Sequence, residues 1–78
     1  MRQKSLRCVI TFHTTSQAIA AERFCKEYGI AGRLIPVPRE ITSGCGMAWS
    51  APAEEAERVR QAMSEHEIVY EGTYQLMI

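Results

Sequence analysis

The 78-residue sequence has no long hydrophobic run, no excess of charge of one sign and no run of low complexity. A membrane-spanning helix needs about 20 predominantly apolar residues, so the sequence predicts no membrane partner. Lys and Arg together number 9, as do Asp and Glu, so no field of one sign would attract nucleic acid. These absences predict a cytoplasmic protein that binds neither membrane nor nucleic acid.

The cysteines are few and widely spaced, at positions 8, 25 and 45. An odd number at such spacing does not form a disulfide framework, and a reducing compartment keeps the three as thiols. The CxxC pairs that mark many zinc sites are absent. No base oriented by a third group accompanies a cysteine in the pattern of a hydrolase or transferase. The sequence therefore predicts no metal, no cofactor and no turnover enzyme.

The first half of the chain predicts a strand followed by a helix. Residues 7–12 are rich in β-branched and apolar side chains, which is typical of a buried strand. Thr14, followed three residues later by Gln17, fits a capping box that begins a helix, and Gly29 fits its end. The two cysteines of this half, Cys8 and Cys25, lie on the apolar faces of the predicted strand and helix. We therefore predict that both are inert core thiols.

The second half predicts two strands, a helix and a last strand. Residues 33–38 read as a strand, at an edge of the sheet because two prolines cannot donate to a central ladder. Residues 47–50 predict a third strand, and Pro52 marks the first turn of a second helix. Residues 68–78 predict the last extended segment, with a bulge or bend at Gly72.

This order predicts an α+β fold of the ferredoxin-like, split βαβ type (βαββαβ). Its four strands form one antiparallel sheet with strands one and three in the centre, and both helices cover one face. Residues 1–78 make a single domain. A core of this size rarely supplies more than about 3–5 kcal/mol, so the sequence leaves a homodimer open.

The candidate chemical centre is Cys45, which stands between Gly44 and Gly46 in the longest polar break of the chain. Neighbouring glycines have no Cβ atom to shield the sulfur, and they let backbone amides approach an anion. The predicted topology places this loop over the N-terminus of the first helix. The unpaired N–H groups and positive end of that helix would favour a thiolate.

Several polar residues are predicted to support this thiolate. Three hydroxyl side chains begin the first helix, and the loop adds a positive charge and a fourth hydroxyl; the residues are Thr14, Thr15, Ser16, Arg39 and Ser43. The sequence leaves open whether His13 or His66 assists Cys45.

Specific motifs extend over most of the chain. They are the Thr-Thr-Ser helix cap, Pro-Val-Pro-Arg-Glu-Ile at 36–41, Ser-Gly-Cys-Gly at 43–46 and Tyr-Glu-Gly at 70–72. With them the sequence resembles the small selenium/sulfur carrier-like proteins. The resemblance implies that Cys45 holds a sulfur or selenium atom as a persulfide or selenopersulfide. A donor such as a cysteine desulfurase or a selenocysteine lyase would supply the atom, and an acceptor enzyme of sulfur or selenium metabolism would receive it.

A different class of function also fits the sequence. A non-catalytic regulatory or protein-interaction module would use exposed aromatic residues, and Trp49, Tyr70 and Tyr74 could form such an interface. In that case Cys45 would shape the turn between two strands, or would sense oxidation as a sulfenic acid.

Overall fold

Four strands and two helices make up the structure, a computed structural model that describes residues 4–41 and 44–78. The elements are β1 (Leu6–Thr11), α1 (Thr15–Glu27), β2 (Arg33–Pro36), β3 (Met47–Pro52), α2 (Ala56–Glu65) and β4 (Gly72–Met77). The strands form one antiparallel sheet in the order β2-β3-β1-β4. The predicted ferredoxin-like arrangement is confirmed, with β1 and β3 in the centre and β2 at an edge.

One face of the sheet forms the main core. β1 presents Cys8, Ile10 and Phe12 to this face, as their spacing of two predicts, and each is at most 1% exposed. Trp49, opposite Ile10 in the register, is fully buried beside them. Both helices contribute buried side chains to the same cluster, among them Ala21 and Cys25 from α1 and Val59 and Met63 from α2. Both helices therefore cover one face, as predicted.

The opposite, helix-free face carries a smaller apolar cluster. Val9 and Ala48 are fully buried there, although no helix covers them. Ile41, which is only 9% exposed, packs against them from the loop that follows β2. The Ile41 N–H donates to the Pro38 carbonyl at 3.0 Å, which closes a turn. The loop that leads to Cys45 is therefore anchored on the face opposite the helices.

The ends of α1 follow the sequence signals. Thr14 Oγ1 accepts a hydrogen bond from the Gln17 N–H at 3.2 Å, which satisfies one of the unpaired N–H groups of the first turn. Gly29 has φ +70°, and the N–H groups of Gly29 and Ile30 donate back to Lys26 and Cys25. This pair of bonds is the Schellman motif, in which glycine adopts the left-handed conformation without a Cβ penalty.

α2 ends in the same motif with a less suitable residue. The N–H groups of Glu67 and Ile68 donate to the Ser64 and Met63 carbonyls at 3.2 and 2.9 Å. Glu67 occupies the left-handed position with φ +52°. A residue with a Cβ atom is strained in this conformation by roughly 1 kcal/mol, so the end of α2 carries a local cost that Gly29 avoids in α1.

Replacing Glu67 with glycine is therefore expected to raise the free energy of unfolding by about 1 kcal/mol. Urea denaturation followed by circular dichroism measures the change. Glu67→Ala is the matched control, because it removes the carboxylate but keeps the Cβ atom. Equal stabilisation by both variants would assign the effect to the charge and contradict the conformational explanation.

Two predicted boundaries are wrong around β3. β2 ends at Pro36 instead of residue 38, although the Val37 N–H still donates to the Gly46 carbonyl at 3.0 Å. Pro52 is the last residue of β3 and does not begin a helix. Its ψ of 145° is extended, a conformation that the fixed φ of proline permits as readily as a helix start. A short 3₁₀ turn, Ala53–Glu55, separates it from α2.

The predicted last strand is also too long. Residues 68–70 are not a strand, because the Ile68 N–H is bound to the end of α2. Pairing with β1 starts where the Glu71 N–H donates to the Thr11 carbonyl at 2.7 Å. Gly72 forms no bulge, since the register from Thr11–Gly72 to Leu6–Met77 is one-to-one. Neither described helix has the length and apolarity that crossing a membrane requires.

Candidate functional site

The Cys45 loop lies at the end of the sheet where β1 finishes. Thr11, the last residue of β1, pairs with both Ala48 of β3 and Gly72 of β4. α1 begins at this end of the sheet, and the loop enters β3 here. A Cβ atom placed on Gly44 would lie 3.4 Å from the His13 carbonyl oxygen. The loop therefore touches the residue that immediately precedes the cap of α1.

Glu71 connects the loop to the sheet. Its Oε1 accepts a hydrogen bond from the Gly44 N–H at 3.3 Å. Its Oε2 lies 3.6 Å from His13 Nδ1, and the Glu71 side chain is 29% exposed. The carboxylate thus holds a backbone N–H next to Cys45 and faces the histidine from the other side. The sequence reasoning gave Glu71 no role, although the Tyr-Glu-Gly motif at 70–72 contains it.

Cys45 itself is partly exposed and packs against the edge of the main core. Its Sγ donates a hydrogen bond to the Met47 carbonyl oxygen at 3.5 Å. Gly46, between the two, has φ +77° with open space around the position of a Cβ atom. The loop therefore turns tightly, and the thiol proton has a definite acceptor in the resting structure. Forming the thiolate requires that this bond be given up.

The predicted supporting residues lie in different surroundings. Thr14 uses its hydroxyl oxygen to cap α1, while Thr15 and Ser16 are exposed in the first turn. Arg39 is exposed, and within the described residues it makes no ion pair. Ser43 lies outside the described residues. Their contribution to the thiolate stays a prediction, and the group that demonstrably contacts the loop is Glu71.

The other two cysteines are confirmed as core thiols. Cys8 is 1% exposed and Cys25 is fully buried. Burial raises the pKa of Cys8, and it raises the pKa of Cys25 to about 11. Neither sulfur is accessible to a second protein. Cys45 is therefore the only cysteine that a reagent or partner can reach without unfolding.

The two histidines have different neighbours. His13 faces Glu71 beside the loop. His66 instead packs between the helices, where its ring stacks on Phe24 with centroids 3.6 Å apart. Its Nε2 lies 2.7 Å from the Tyr28 hydroxyl, which donates to Glu65 at 2.9 Å. These contacts involve the helices and not the loop, so His13 is the histidine that lies beside the Cys45 loop.

A metal site is not evident in the part of the chain that the structure describes. No three His, Cys, Asp or Glu side chains there lie together as ligands. The groups that the structure places at or beside the loop are one thiol, from Cys45, one carboxylate, from Glu71, and one imidazole, from His13.

Neutralising Glu71 is expected to speed the reaction of Cys45 with the anionic reagent iodoacetate, relative to the neutral iodoacetamide, by about twofold to tenfold, because a negative charge beside the loop repels an anionic reagent. Glu71→Gln keeps an acceptor for the Gly44 N–H. Glu54→Gln is the control, since Glu54 is exposed and lies in the turn after β3. A slower or unchanged rate in Glu71→Gln would contradict this electrostatic role.

The chain matches one protein family over most of its length. Residues 7–75 match the family model described as "Putative Se/S carrier protein-like". The match covers nearly the whole chain, and the protein belongs to this family. Neither a curated protein nor a solved structure matches the chain significantly.

Proposed function

We propose that the protein carries a sulfur or selenium atom on Cys45, as a persulfide or selenopersulfide, and passes it from one enzyme to another. The observation that carries this proposal is the accessibility of one thiol in three: Cys45 is partly exposed in a Gly-Cys-Gly loop, whereas the other two are buried. Membership of the Se/S carrier-like family supports the same role.

The loading step balances without an external oxidant. The Cys45 thiolate attacks the terminal sulfur of a persulfide on the donor enzyme, and a new S–S bond forms. The S–S bond of the donor breaks, and its cysteine leaves as a thiolate. The terminal sulfur keeps its oxidation state, and its proton or charge passes with it. Delivery to an acceptor is the reverse reaction with a different thiol, and a selenium atom follows the same sequence of bonds.

The loop supplies specific groups for this exchange. The Cys45 S–H must leave the Met47 carbonyl, and its proton would pass to solvent or to a base beside the loop such as His13. The bound atom extends beyond Sγ and needs hydrogen-bond donors for its negative charge. The Gly44 N–H is one such donor, and Glu71 occupies it in the resting protein. Loading would therefore displace Glu71 from the loop, while the α1 N-terminus and Arg39 favour the anion.

The partners follow from this chemistry. A persulfide or selenopersulfide donor, such as a cysteine desulfurase or a selenocysteine lyase, loads the protein, and a thiol-bearing acceptor enzyme of sulfur or selenium metabolism unloads it. The protein ends each cycle unchanged and performs no net chemistry alone. It acts as a carrier and not as a turnover enzyme.

Loading is tested by incubating the reduced protein with a cysteine desulfurase and cysteine, then measuring intact mass. The parent protein is expected to gain one sulfur atom, which dithiothreitol removes. Cys45→Ser is expected to gain none, and Cys25→Ala, which removes a buried thiol, is expected to gain as much as the parent. Equal labelling of parent and Cys45→Ser would refute the carrier function.

Fewer of the residues that the sequence suggested for a protein-interaction module are exposed in the structure. Trp49 is fully buried in the main core and cannot contribute to an interface. Tyr74 of β4 is 38% exposed, and Leu6 of β1 and Met77 of β4, which pair in the register, are 44% and 57% exposed. A module of this kind, or a homodimer, would lose its partner on Leu6→Glu and keep it on Cys45→Ser. The carrier function predicts the opposite dependence for chalcogen loading.

A further inference from the structure

A cavity of about 800 Å³ opens at the end of the sheet opposite Cys45. Arg7 and Arg33 line it, together with Ser50 between them. β3 separates the two sites, since Cys45 precedes its first residue and the cavity includes its last, Pro52. The cavity is therefore independent of the chalcogen chemistry proposed for the loop.

The sheet register brings the two arginines to one face. Arg33 of β2 lies directly opposite Ser50 of β3. Ser50 in turn lies opposite Val9, which is two residues from Arg7 and shares its face. Arg7 and Arg33 consequently lie on either side of Ser50 on the helix-free face of the sheet.

Arg7 is held in position by Ser50. Its Nε donates to Ser50 Oγ at 3.0 Å, and its Nη2 donates to the Ser50 carbonyl at 3.3 Å. Ser50 is only 3% exposed, so these bonds are built into the sheet and do not depend on a mobile surface group. Nη1 of Arg7 makes no hydrogen bond within the described residues and remains able to donate. The guanidinium is thus preorganised for an acceptor.

The two arginine side chains of this cavity form no ion pair in the described part of the chain. Neither Arg7 nor Arg33 takes part in an ion pair there, whereas Arg23, Arg58 and Arg60 each do. None of the residues that line the cavity is Asp or Glu. A guanidinium group without an ion-pair partner can bind an anion, and its planar donors match a carboxylate or phosphate.

Apolar side chains complete the wall of the cavity. Ile35, Pro52 and Ile78 line it alongside the arginines. We infer that the cavity binds a small organic anion whose carboxylate or phosphate group contacts Arg7 and Arg33 and whose apolar body rests on these three side chains. The volume is in the range of pockets that take small molecules.

The inference is tested by titrating the full chain with four probes and following backbone amide resonances by NMR. The probes are phenyl phosphate, benzoate, inorganic phosphate and phenol. We expect saturable shifts at Gly32, Arg33 and Ser50 with phenyl phosphate, with benzoate or with both, and the tighter probe identifies the anionic group. Binding of neither would overturn the inference. Inorganic phosphate that binds as tightly as phenyl phosphate would also overturn the inference, because the apolar body would then be unnecessary. Phenol that binds as tightly would overturn it too, because the anionic group would then be unnecessary.

A pair of arginine variants distinguishes binding at this cavity from a general effect of the positive charge of the protein. Arg33→Gln is expected to weaken binding of the tighter probe by about tenfold, since one charge-assisted hydrogen-bonding group is lost. Arg33 is exposed, so its replacement leaves the fold intact. Arg39→Gln is the matched control, because Arg39 is also exposed and lies at the other end of the sheet. Unchanged binding in Arg33→Gln, or equal weakening in both variants, would contradict the site.

Discussion

In the native protein near neutral pH, iodoacetamide is expected to modify Cys45 at least about a hundredfold faster than Cys8 or Cys25. Cys8 and Cys25 are at most 1% exposed, so a reagent reaches them only when the chain opens. With about 3–5 kcal/mol of stability, fewer than about one molecule in a hundred is open at a time. Cys45 needs no such opening, because its loop is partly exposed.

The pH dependence of the alkylation rates shows whether burial or ionisation of the thiols limits the reaction of Cys8 and Cys25. Burial raises the pKa of Cys8 and raises the pKa of Cys25 to about 11, so raising the pH to about 9 should not make either reactive while the fold persists. Mass spectrometry of tryptic peptides after timed quenching measures the three rates. In concentrated urea the three rates should converge. Comparable rates in the native protein would remove the basis for assigning chemistry to Cys45.

Replacing Gly32 with alanine is expected to lower the free energy of unfolding by about 2–4 kcal/mol. A Cβ atom on Gly32 would lie 2.6 Å from the Ser50 carbonyl oxygen and 2.7 Å from the Trp49 ring. The carbonyl is part of β3, and the indole is fully buried, so neither can move aside cheaply. The φ of +152° adds a backbone conformation that alanine rarely adopts.

Urea denaturation of Gly32→Ala and Gly29→Ala together tests the steric part of this effect. Gly29 has φ +70°, but nothing lies within 4 Å of the position of a Cβ atom. Gly29→Ala should therefore lower the free energy of unfolding by only about 1 kcal/mol, for the backbone conformation alone. Because the whole domain is marginally stable, Gly32→Ala should be substantially unfolded at 37 °C. If Gly32→Ala lowered the free energy of unfolding no more than Gly29→Ala, β3 and Trp49 would have to rearrange easily around the new Cβ atom, contrary to this prediction.

The fold was predictable because its strongest signals are local and agree with one another. The alternation of Cys8, Ile10 and Phe12 fixed the core face of β1, and Thr14 and Gly29 marked the ends of α1. Strand ends were predicted less well, because they depend on partners far away in the chain. Pro52 stays in β3 since Arg7 lies opposite it across the sheet, and residue 68 is bound to the end of α2. No local pattern carries these pairings.

The accessible thiol was predictable from the sequence, and the groups around it were not. Burial of Cys8 and Cys25 follows from their positions on apolar faces, which left Cys45 as the accessible thiol. Glu71 was missed because it is separated from Gly44 by 27 residues and meets it only through the pairing of β4 with β1. From the sequence alone, an acidic residue beside a strand is expected to be a solvent-exposed surface group. The Tyr-Glu-Gly motif at 70–72 was the available signal, but its chemistry required the fold.

The structure adds a carboxylate to the surroundings of Cys45, which sequence reasoning described by hydroxyl groups, a positive charge and a helix N-terminus. Glu71 accepts the N–H of Gly44 beside Cys45, and the Met47 carbonyl accepts the Cys45 S–H. In the proposed carrier function, release of Glu71 from Gly44 on docking of the donor would free this N–H for the bound atom.

The most direct measurement is the location of the added atom after loading. The reduced protein is incubated with a cysteine desulfurase and cysteine, blocked with iodoacetamide, digested and examined by tandem mass spectrometry. We predict one additional sulfur on the peptide that contains Cys45, with Cys8 and Cys25 bearing none. Sulfur on a peptide of Cys8 or Cys25, or no added sulfur on Cys45, would contradict the proposal that this loop carries the chalcogen.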